Sequence, residues 1–283
     1  MKRKCTAALA AFLCAAMMTG CGDISHVSIT PVSREDGSGT RGAFVELFGI
    51  QEKNEAGDKL DMTTDMAEIT NSTAVMLMTV TGNKNAIGYI SMGSMNDAVK
   101  TLEIDGVEAT FENIKNGSYK IARPFNIATK ADASPATQDF INFILSQEGQ
   151  AVVEESGYIS RGNTGVYTPS EAKGNVVVSG SSSVAPVMEK IKEAYEAVNP
   201  NVSIEMQQSD STIGMNSLKE DMCDIGMASR ELKESELEAG LIPTVIAMDG
   251  IAIIVNHENP LDDMSSEEVK NIFKGEIKEW AEL

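Results

Sequence analysis

Histidine, the commonest general base and a frequent metal ligand, is nearly absent from this chain. The two histidines are His26, near the amino terminus, and His257, in the polar segment NHENP that follows a predicted strand. We interpret both as surface residues, so a serine hydrolase would lack its base. No group of cysteine, histidine and carboxylate residues has metal-ligand spacing, and no glycine-rich stretch is followed by the Lys-Ser or Lys-Thr of a P-loop. The sequence therefore predicts a protein that is not an enzyme and uses no metal or cofactor.

Basic residues are also scarce, and their shortage restricts the possible partners. The 23 lysines and arginines stand against 42 aspartates and glutamates, which gives a formal net charge of −19. Such a charge repels nucleic acid and anionic membrane surfaces at long range. We therefore expect no nucleic-acid partner, and any bound anion must be held by local dipoles and a few arginines.

The amino terminus has the features of a targeting segment. Basic residues at positions 2–4 precede the apolar run CTAALAAFLCAAMM, which is shorter than the roughly 20 residues of a transmembrane helix. These features predict a signal peptide over residues 1–20. The motif MTGC resembles the lipobox of bacterial lipoproteins, so we expect cleavage before Cys21 and lipidation of that cysteine. An uncleaved membrane anchor is the alternative.

Cysteine is too rare for a disulfide framework. Of the four cysteines, Cys5 and Cys14 lie in the predicted signal peptide and Cys21 is the predicted lipid carrier, which leaves Cys223 alone. We therefore expect no intrachain disulfide. Stability must come from a packed core, for which the 42% hydrophobic content is sufficient.

Strand and helix patterns alternate along the rest of the chain. Apolar spacing and capping residues predict helices over 41–49, 67–83, 134–159, 185–200, 265–275 and near 214–221. Strands are predicted over 27–33, 86–92, 175–180, 202–208 and 250–256, and on both sides of a turn at Asp105-Gly106. Residues 51–65 are predicted to form a loop and residues 161–174 a linker. This alternation indicates an α/β protein with mostly parallel sheets.

Three segments place small hydroxyl residues between a strand and a helix. The first, second and third hydroxyl segments are REDGSGTRGAF (34–44), VVVSGSSSVAPVMEK (176–190) and MQQSDSTIGMNSLK (206–219). Each would present N–H groups and hydroxyls at a helix N-terminus, which attracts anions. Arg34 adds a planar fork suited to a tetrahedral oxyanion. Any one segment alone would be interpreted as an N-cap or a tight turn, and Arg34 with its acidic neighbours as a solvated charge cluster. The recurrence of the pattern favours an anion site.

Several segments together resemble a known family over nearly all of the chain after the predicted signal peptide. They are SREDGSGTRGAF, AIGYISMGS, RPFNIATK, SQEGQAVVEESGYI, VSGSSSVAPVMEK, CDIGMASREL and DGIAIIVNHENP. They resemble the phosphate-binding proteins (PstS) of bacterial phosphate ABC transporters. The resemblance implies an α/β, two-lobed fold of the type II periplasmic-binding-protein class, with the anion held between the lobes.

The order of these segments is reversed by halves relative to that family. Residues 24–160 resemble the family's second half, and residues 175–283 resemble its first half. We therefore predict a circular permutant in which residues 161–174 bridge the former termini. The permuted order implies one discontinuous lobe of residues 24–94 and 257–283, and a second lobe of residues 95–256. The alternative is an assembly in which halves of different chains complete each other.

The resemblance also implies a set of phosphate-binding residues. They are Arg34, Ser38, Gly39, Thr40, Ser182, Ser183, Ser211 and Arg230. Arg230 stands where the family has an aspartate that accepts the proton of phosphate, and an arginine can only donate. Because sulfate lacks that proton, selectivity would depend on another acceptor, for which Asp249 and Asp36 are the candidates. Asp36 is also expected to support Arg34.

The function implied by the resemblance is binding without chemistry. The protein would capture inorganic phosphate and deliver it to the membrane subunits of an ABC permease. It would act as a monomer, anchored by its lipid to the outer face of the cytoplasmic membrane. The alternatives are a receptor for another oxyanion, such as sulfate or molybdate, and a phosphate-sensing or cell-wall protein without a transporter.

Overall fold

The computed structural model describes residues 28–54 and 59–283. The predicted signal peptide, the predicted lipid attachment at Cys21, and His26 lie outside these residues. Within the described part of the chain, no helix combines the length and the apolar character needed to cross a membrane.

The described residues form an alternation of strands and helices. The strands are β1 Thr30–Arg34, β2 Gln51–Lys53, β3 Lys59–Asp61, β4 Glu68–Thr70, β5 Ala86–Ser91, β6 Lys100–Thr101, β7 Glu103–Ile104, β8 Ala122–Thr129, β9 Ile159–Ser160, β10 Gly174–Ser181, β11 Val202–Ser209, β12 Ile225–Ala228, β13 Ile242–Val255 and β14 Asp263–Met264. The α-helices are α1 Gly39–Leu47, α2 Thr73–Gly82, α3 Phe111–Lys115, α4 Pro135–Ile144, α5 Gln147–Glu155, α6 Ala185–Val198, α7 Ser211–Lys219, α8 Glu234–Glu238 and α9 Ser266–Lys274. Short 3₁₀ turns cover Met92–Ser94 and Trp280–Glu282.

Most strands form one long sheet that is parallel at both ends and antiparallel in the middle. Its order is β11-β10-β12-β8-β13-β5-β1-β4. At one end β10 pairs in parallel with β11 and β12, and at the other β1 pairs in parallel with β4 and β5. Between them β8 and β13 run antiparallel to each other and to their outer neighbours. These two long strands therefore connect two α/β units, and we call them the hinge strands.

The hydrophobic core divides into two parts along the hinge strands. One cluster draws its members from residues 29–121 and 251–280 and includes Phe44. A second lies within residues 125–247 and includes Tyr195, and a third, smaller one lies within residues 128–241 and includes Met215. The first cluster on one side, and the other two on the other side, define two lobes joined by the hinge strands, which we call the first lobe and the second lobe in this order.

The predicted lobe boundaries, at 94/95 and 256/257, differ from this division of the core. The prediction assigns residues 95–121 to the second lobe, whereas buried Leu102 and Tyr119 pack in the first core. It also assigns all of β13 up to residue 256 to the second lobe, but residues 251–255 pair with β5 and belong to the first core. The hinge strands themselves cross from one lobe to the other, so the boundary falls inside them.

Three predicted elements differ locally from the structure. Residues 51–65 contain the antiparallel pair β2 and β3 instead of a loop. The predicted helix 67–83 begins as strand β4, which pairs with β1, and becomes helical only after the N-cap Ser72. The predicted helix 134–159 is two helices, because Ser146 caps a new start by accepting from the Gly149 N–H at 3.1 Å.

Other helix boundaries agree with the predicted caps. Ser134 accepts from the Thr137 N–H at 3.1 Å at the start of α4, with proline in the first turn. At the start of α9, Ser265 and Glu268 form the predicted capping box. These contacts satisfy N–H groups that have no acceptor within the helix.

The first and last described parts of the chain lie side by side. The Ile29 N–H donates to the Lys278 carbonyl at 2.7 Å, and Ser28 forms an isolated antiparallel bridge with Glu279. A short connection could therefore join the two ends without rearranging the first lobe.

The predicted linker packs against the second lobe. The Thr164 N–H donates to the Leu145 carbonyl at 2.8 Å, at the end of α4. The Tyr167 hydroxyl donates to Asp139 Oδ2, also at 2.8 Å. Beyond these contacts the chain enters β10 at Gly174, so the linker is anchored and joins two elements of one lobe.

Candidate anion-binding site

Arg34, the last residue of β1, lies buried at the junction of the two lobes. Its Nε and Nη2 donate to the two carboxylate oxygens of Glu35 at 2.8 and 2.7 Å. Nη2 also donates to Ser182 Oγ at 3.1 Å, and Nη1 reaches Thr73 Oγ1 at 3.5 Å. Arg34 is only 3% exposed. The guanidinium therefore pairs with Glu35 through Nε and Nη2, and its two terminal nitrogens, Nη1 and Nη2, also contact hydroxyls of both lobes.

The first and second hydroxyl segments meet across the lobe junction. Thr40 Oγ1, in the first turn of α1, lies 2.8 Å from Ser183 Oγ, and either hydroxyl can donate. Thr73 Oγ1, at the start of α2, lies 3.3 Å from the same Ser183 oxygen. All three side chains are buried. The hydroxyl groups therefore form an interlobe cluster beside Arg34.

The third hydroxyl segment joins this cluster through Ser211 and Ser229. Ser211 Oγ accepts from the Ser229 N–H at 3.2 Å, and Ser229 Oγ accepts from the Ser181 hydroxyl at 2.9 Å. A β-carbon on Gly39 would lie 2.7 Å from Ser229 Oγ and would collide with Ser211 Oγ as well. Gly39 therefore allows the start of α1 to approach the second lobe closely.

Three helix starts converge at the same place. Ser38 caps α1 by accepting from the Arg41 N–H at 3.3 Å, and Asp210 caps α7 by accepting from the Ile213 N–H at 2.8 Å. Helix α6 begins at Ala185, directly after the Ser182-Ser183 turn. The first N–H groups of each helix have no acceptor within the helix and carry partial positive charge. Together with Arg34, whose charge is paired with Glu35, they place several N–H donors for an anion at the lobe junction.

An aromatic pair supports the end of β1 that carries Arg34. The Tyr89 hydroxyl accepts from the Arg34 N–H at 3.1 Å and lies 2.8 Å from Ser33 Oγ. The Tyr89 ring stacks on Phe44 with centroids 3.9 Å apart. Burial raises the pKa of Tyr89 to about 12, so the phenol stays neutral. The strand end is therefore fixed by buried contacts on the side away from the second lobe.

Asp36 does not support Arg34 in the structure, which corrects the prediction. Its side chain is 95% exposed and pairs with Arg41 at 2.8 Å. Glu35 takes the predicted role, because the chain turns outward after β1 and leaves only the first of the two acidic residues beside the guanidinium. Since Asp36 points to solvent, it is also not placed to accept a proton from a ligand in the cluster.

The Arg230 guanidinium binds side chains of its own lobe. Its Nη1 and Nη2 donate to the two carboxylate oxygens of Glu236 at 2.9 and 2.8 Å, and Nη2 also reaches Thr212 Oγ1 at 3.4 Å. Although burial opposes the shift, these hydrogen bonds lower the pKa of Glu236. The charge of Arg230 is therefore paired within the second lobe.

Asp249 lies on hinge strand β13 and is completely buried. Its Oδ1 accepts from the Ser91 hydroxyl at 2.9 Å, and its Oδ2 pairs with Arg123 Nη2 at 3.2 Å. Burial, opposed by Arg123, raises the pKa of Asp249 to about 6. One oxygen thus faces Ser91 on β5 and the other faces Arg123 on hinge strand β8, which in turn donates to the Ser229 carbonyl.

Sequence reasoning missed four residues that the structure places in or beside the cluster. They are Glu35, Thr73, Arg123 and Ser229. The sequence contains a signal for Thr73, because NST follows a strand and starts a helix just as the three hydroxyl segments do. The prediction of one continuous helix over 67–83 hides that signal. For Arg123, a single charge in the alternating strand ARPFNIAT, the sequence contains no comparable signal.

A cleft of about 540 Å³ lies next to the cluster between the lobes. Thr73 and Ser182, which both contact Arg34, line its inner side, and α2 and α6 form part of its walls. Among the residues that the structure describes, no group of three or more histidine, cysteine, aspartate and glutamate side chains is arranged to hold a metal ion. The site therefore has the donors of an anion receptor and an opening to solvent.

Two α/β lobes joined by hinge strands, with a polar site at their junction, define the class of periplasmic-binding-protein-like receptors. The family model described as the PBP superfamily domain matches residues 19–148 and 165–283. The phosphate-binding protein PstS 2 of Streptococcus agalactiae serotype V is 54% identical over 272 residues, which cover 94% of this chain and 93% of the relative. The chain therefore belongs to the PBP superfamily and, within it, to the family of PstS phosphate-binding proteins.

Two further comparisons extend this result. The crystal structure of a phosphate-binding protein of a phosphate ABC transporter from Streptococcus pneumoniae is 44% identical, with a TM-score of 0.70, and covers 90% of this chain and 99% of that one. The PstS of Bacillus subtilis is 33% identical over only 115 residues, 40% of this chain and 38% of that protein. Membership in a family of binding proteins agrees with the prediction that the protein is not an enzyme.

Proposed function

We propose that this protein is an extracytoplasmic receptor that binds inorganic phosphate between its lobes and delivers it to an ABC permease. The observation that carries the proposal is the convergence of three helix starts and hydroxyls from both lobes on buried Arg34. The names of the full-length relatives, phosphate-binding proteins in both cases, agree with this ligand.

Binding would rest on hydrogen bonds and local charge. Arg34 and the helix starts donate N–H groups, and the hydroxyls of Thr40, Thr73, Ser182 and Ser183 can donate or accept. Because these donors belong to both lobes, a tetrahedral anion would draw the lobes together and exclude water. Ligand binding would thereby be coupled to the closed shape that a permease can recognise.

The test is a calorimetric titration of residues 22–283, freed of bound phosphate. We expect saturable one-to-one binding of phosphate. Absence of phosphate binding by a folded sample would refute the proposal.

Sulfate is the second candidate ligand, for a specific reason. Both oxygens of Glu35, the carboxylate that contacts Arg34, already accept from that guanidinium. Arg230 and Asp249 have partners outside the cluster. Each oxygen of Glu35 keeps one further acceptor site, but the hydroxyls around Arg34 can either accept the proton of phosphate or donate to sulfate, so they do not discriminate between the two anions. Titration of the same sample with sulfate and molybdate separates these ligands, since binding of sulfate as tight as that of phosphate would make this a general oxyanion receptor.

We further propose that the chain is anchored through a lipid on Cys21 to the outer face of the cytoplasmic membrane. The basic start, the short apolar run and the MTGC motif support this proposal. Mass spectrometry of the protein extracted from membranes tests it, with Cys21→Ala as the matched variant. The variant is expected in the soluble fraction, and its retention in the membrane would contradict lipid anchoring.

We also propose that the chain is a circular permutant relative to part of its family. The streptococcal relative aligns over nearly its whole length, whereas the Bacillus relative aligns over less than half of either chain. The adjacency of Ile29 to Lys278 and the docked linker 161–174 support the same proposal.

A reordered chain tests the permutation. Residues 175–283 followed by residues 28–160 are expected to form a monomer that binds phosphate as the original does. Light scattering after size exclusion gives the mass of both chains. A dimeric original chain would favour the exchange of halves, and a reordered chain that cannot fold would contradict the permutation.

A further inference from the structure

A buried ion pair connects the two hinge strands. Arg123 on β8 and Asp249 on β13 are register partners, and their side chains are 2% and 0% exposed. Asp249 Oδ2 accepts from Arg123 Nη2 and Nε at 3.2 and 3.4 Å. Ser91 on β5 donates to the other carboxylate oxygen at 2.9 Å. Three adjacent strands are therefore tied together at the point where the lobes join.

The same guanidinium also reaches out of the hinge. Arg123 Nη1 donates to the Ser229 carbonyl at 3.1 Å. Ser229 contacts all three hydroxyl segments. Its N–H donates to Ser211 Oγ, its hydroxyl accepts from Ser181, and its Oγ lies where a side chain on Gly39 would have to be. The position of Ser229 therefore affects one residue in each of the three hydroxyl segments.

We propose that Arg123 is a positioning residue of the anion site, which holds Ser229 in place from the hinge and so aligns the hydroxyl segments of both lobes. This inference rests on the proposed phosphate-binding function. It assigns a role to a residue that does not itself need to touch the ligand.

Stability alone does not account for a charged pair at this position. Burying two charges costs several kcal/mol for each ion, and an apolar pair of similar volume is often as stable or more stable. Burial, opposed by Asp249 and reinforced by repulsion from Arg34, lowers the pKa of Arg123. What the guanidinium provides is a rigid fork that donates to Asp249 and to Ser229 at the same time, which no apolar side chain can do.

The experiment compares stability and phosphate affinity in matched variants. Arg123→Met removes the fork and leaves Asp249 unpaired, and the double variant Arg123→Met/Asp249→Asn removes both buried charges. Tyr119→Phe is the control, because it deletes a buried hydrogen bond to the Ile251 carbonyl of β13, 2.8 Å long, without touching the site. Melting temperature and phosphate affinity are measured for the wild type and all three variants.

Positioning predicts that affinity and stability respond differently. The single variant should lose stability and at least about tenfold in phosphate affinity, comparable to the loss of one charge-assisted hydrogen bond. The double variant should regain much of the stability and still bind at least about tenfold more weakly. Tyr119→Phe should melt earlier and bind phosphate as the wild type does.

Two results would overturn the inference. One is wild-type affinity in Arg123→Met, and the other is recovery of affinity together with stability in the double variant. Failure of the wild type to bind phosphate would instead refute the proposed function, so the two failures are distinguishable. If Arg123→Met does not fold, the double variant alone decides: weaker phosphate binding by a stable double variant supports the inference, and wild-type affinity overturns it.

Discussion

Substitution of Gly39 by alanine should weaken phosphate binding, although alanine favours a helix more than glycine does. A β-carbon at this position would lie 2.7 Å from Ser229 Oγ, would collide with Ser211 Oγ, and would lie 3.2 Å from Arg230 Cγ. The two hydroxyls must move away, which weakens the Ser211–Ser229 and Ser181–Ser229 hydrogen bonds. At about 1 kcal/mol for each bond, phosphate affinity should fall by roughly 10- to 30-fold.

Gly42, one turn later in α1, provides the matched control. A β-carbon there would meet only Arg230 Cδ, at 3.9 Å, which is an ordinary van der Waals contact. Alanine at this helix position should stabilise the protein by about 0.5–1 kcal/mol and leave affinity unchanged. Calorimetric titration gives the affinities, and thermal unfolding gives the stabilities. Equal affinities of Gly39→Ala and Gly42→Ala would refute the reasoning that α1 needs close contact with the second lobe.

Two further predictions concern acidic side chains. Glu35→Gln should weaken phosphate binding several-fold, because Arg34 loses its ionic partner. Asp36→Asn should leave phosphate binding unchanged, since Asp36 is exposed. Equal effects of the two substitutions in a calorimetric titration would contradict the assignment of Glu35 as the partner of Arg34. Asp249 has a folded-state pKa of about 6, above its ordinary value of 3.8, so the native state binds its proton more tightly. That stabilisation is present below about pH 4 and is lost as the pH rises through 6. Between pH 4 and 7, the free energy of unfolding of the wild type should therefore fall by about 2 kcal/mol relative to that of Asp249→Asn. Urea unfolding at both pH values measures the difference, and a constant difference would contradict it.

The sequence predicted the convergence of the hydroxyl segments because of a regular feature of α/β folds. The carboxyl ends of parallel strands lie at one edge of a sheet, and the helices that follow them start there. Ser38, Ser183 and Ser211 each follow such a strand, so the convergence of the three helix starts at the lobe junction follows from strand order once the two lobes face each other. The place where the three segments come together could therefore be predicted without knowledge of individual contacts, and its role as the phosphate site stays a prediction.

The residues that the sequence could not place depend on contacts between distant segments. Strand β4 has only three residues, and its pairing with β1 outweighs the helical pattern that continues from α2. Whether Glu35 or Asp36 pairs with Arg34 depends on where the chain turns after β1. The position of Arg123 depends on its register with Asp249, more than 120 residues later in the chain. Local patterns contain no information on such pairings.

The phosphate affinity of Arg34→Ala tests whether phosphate binds between the lobes at Arg34. The variant is titrated beside the wild type and beside Arg161→Ala, which removes the same charge from an exposed position in the linker. We expect Arg34→Ala to lose on the order of 100-fold or more in affinity, because charge-assisted hydrogen bonds are worth about 1.5–3 kcal/mol each. Arg161→Ala should bind phosphate as the wild type does. Wild-type affinity in a folded Arg34→Ala protein would contradict the claim that phosphate binds between the lobes at this residue.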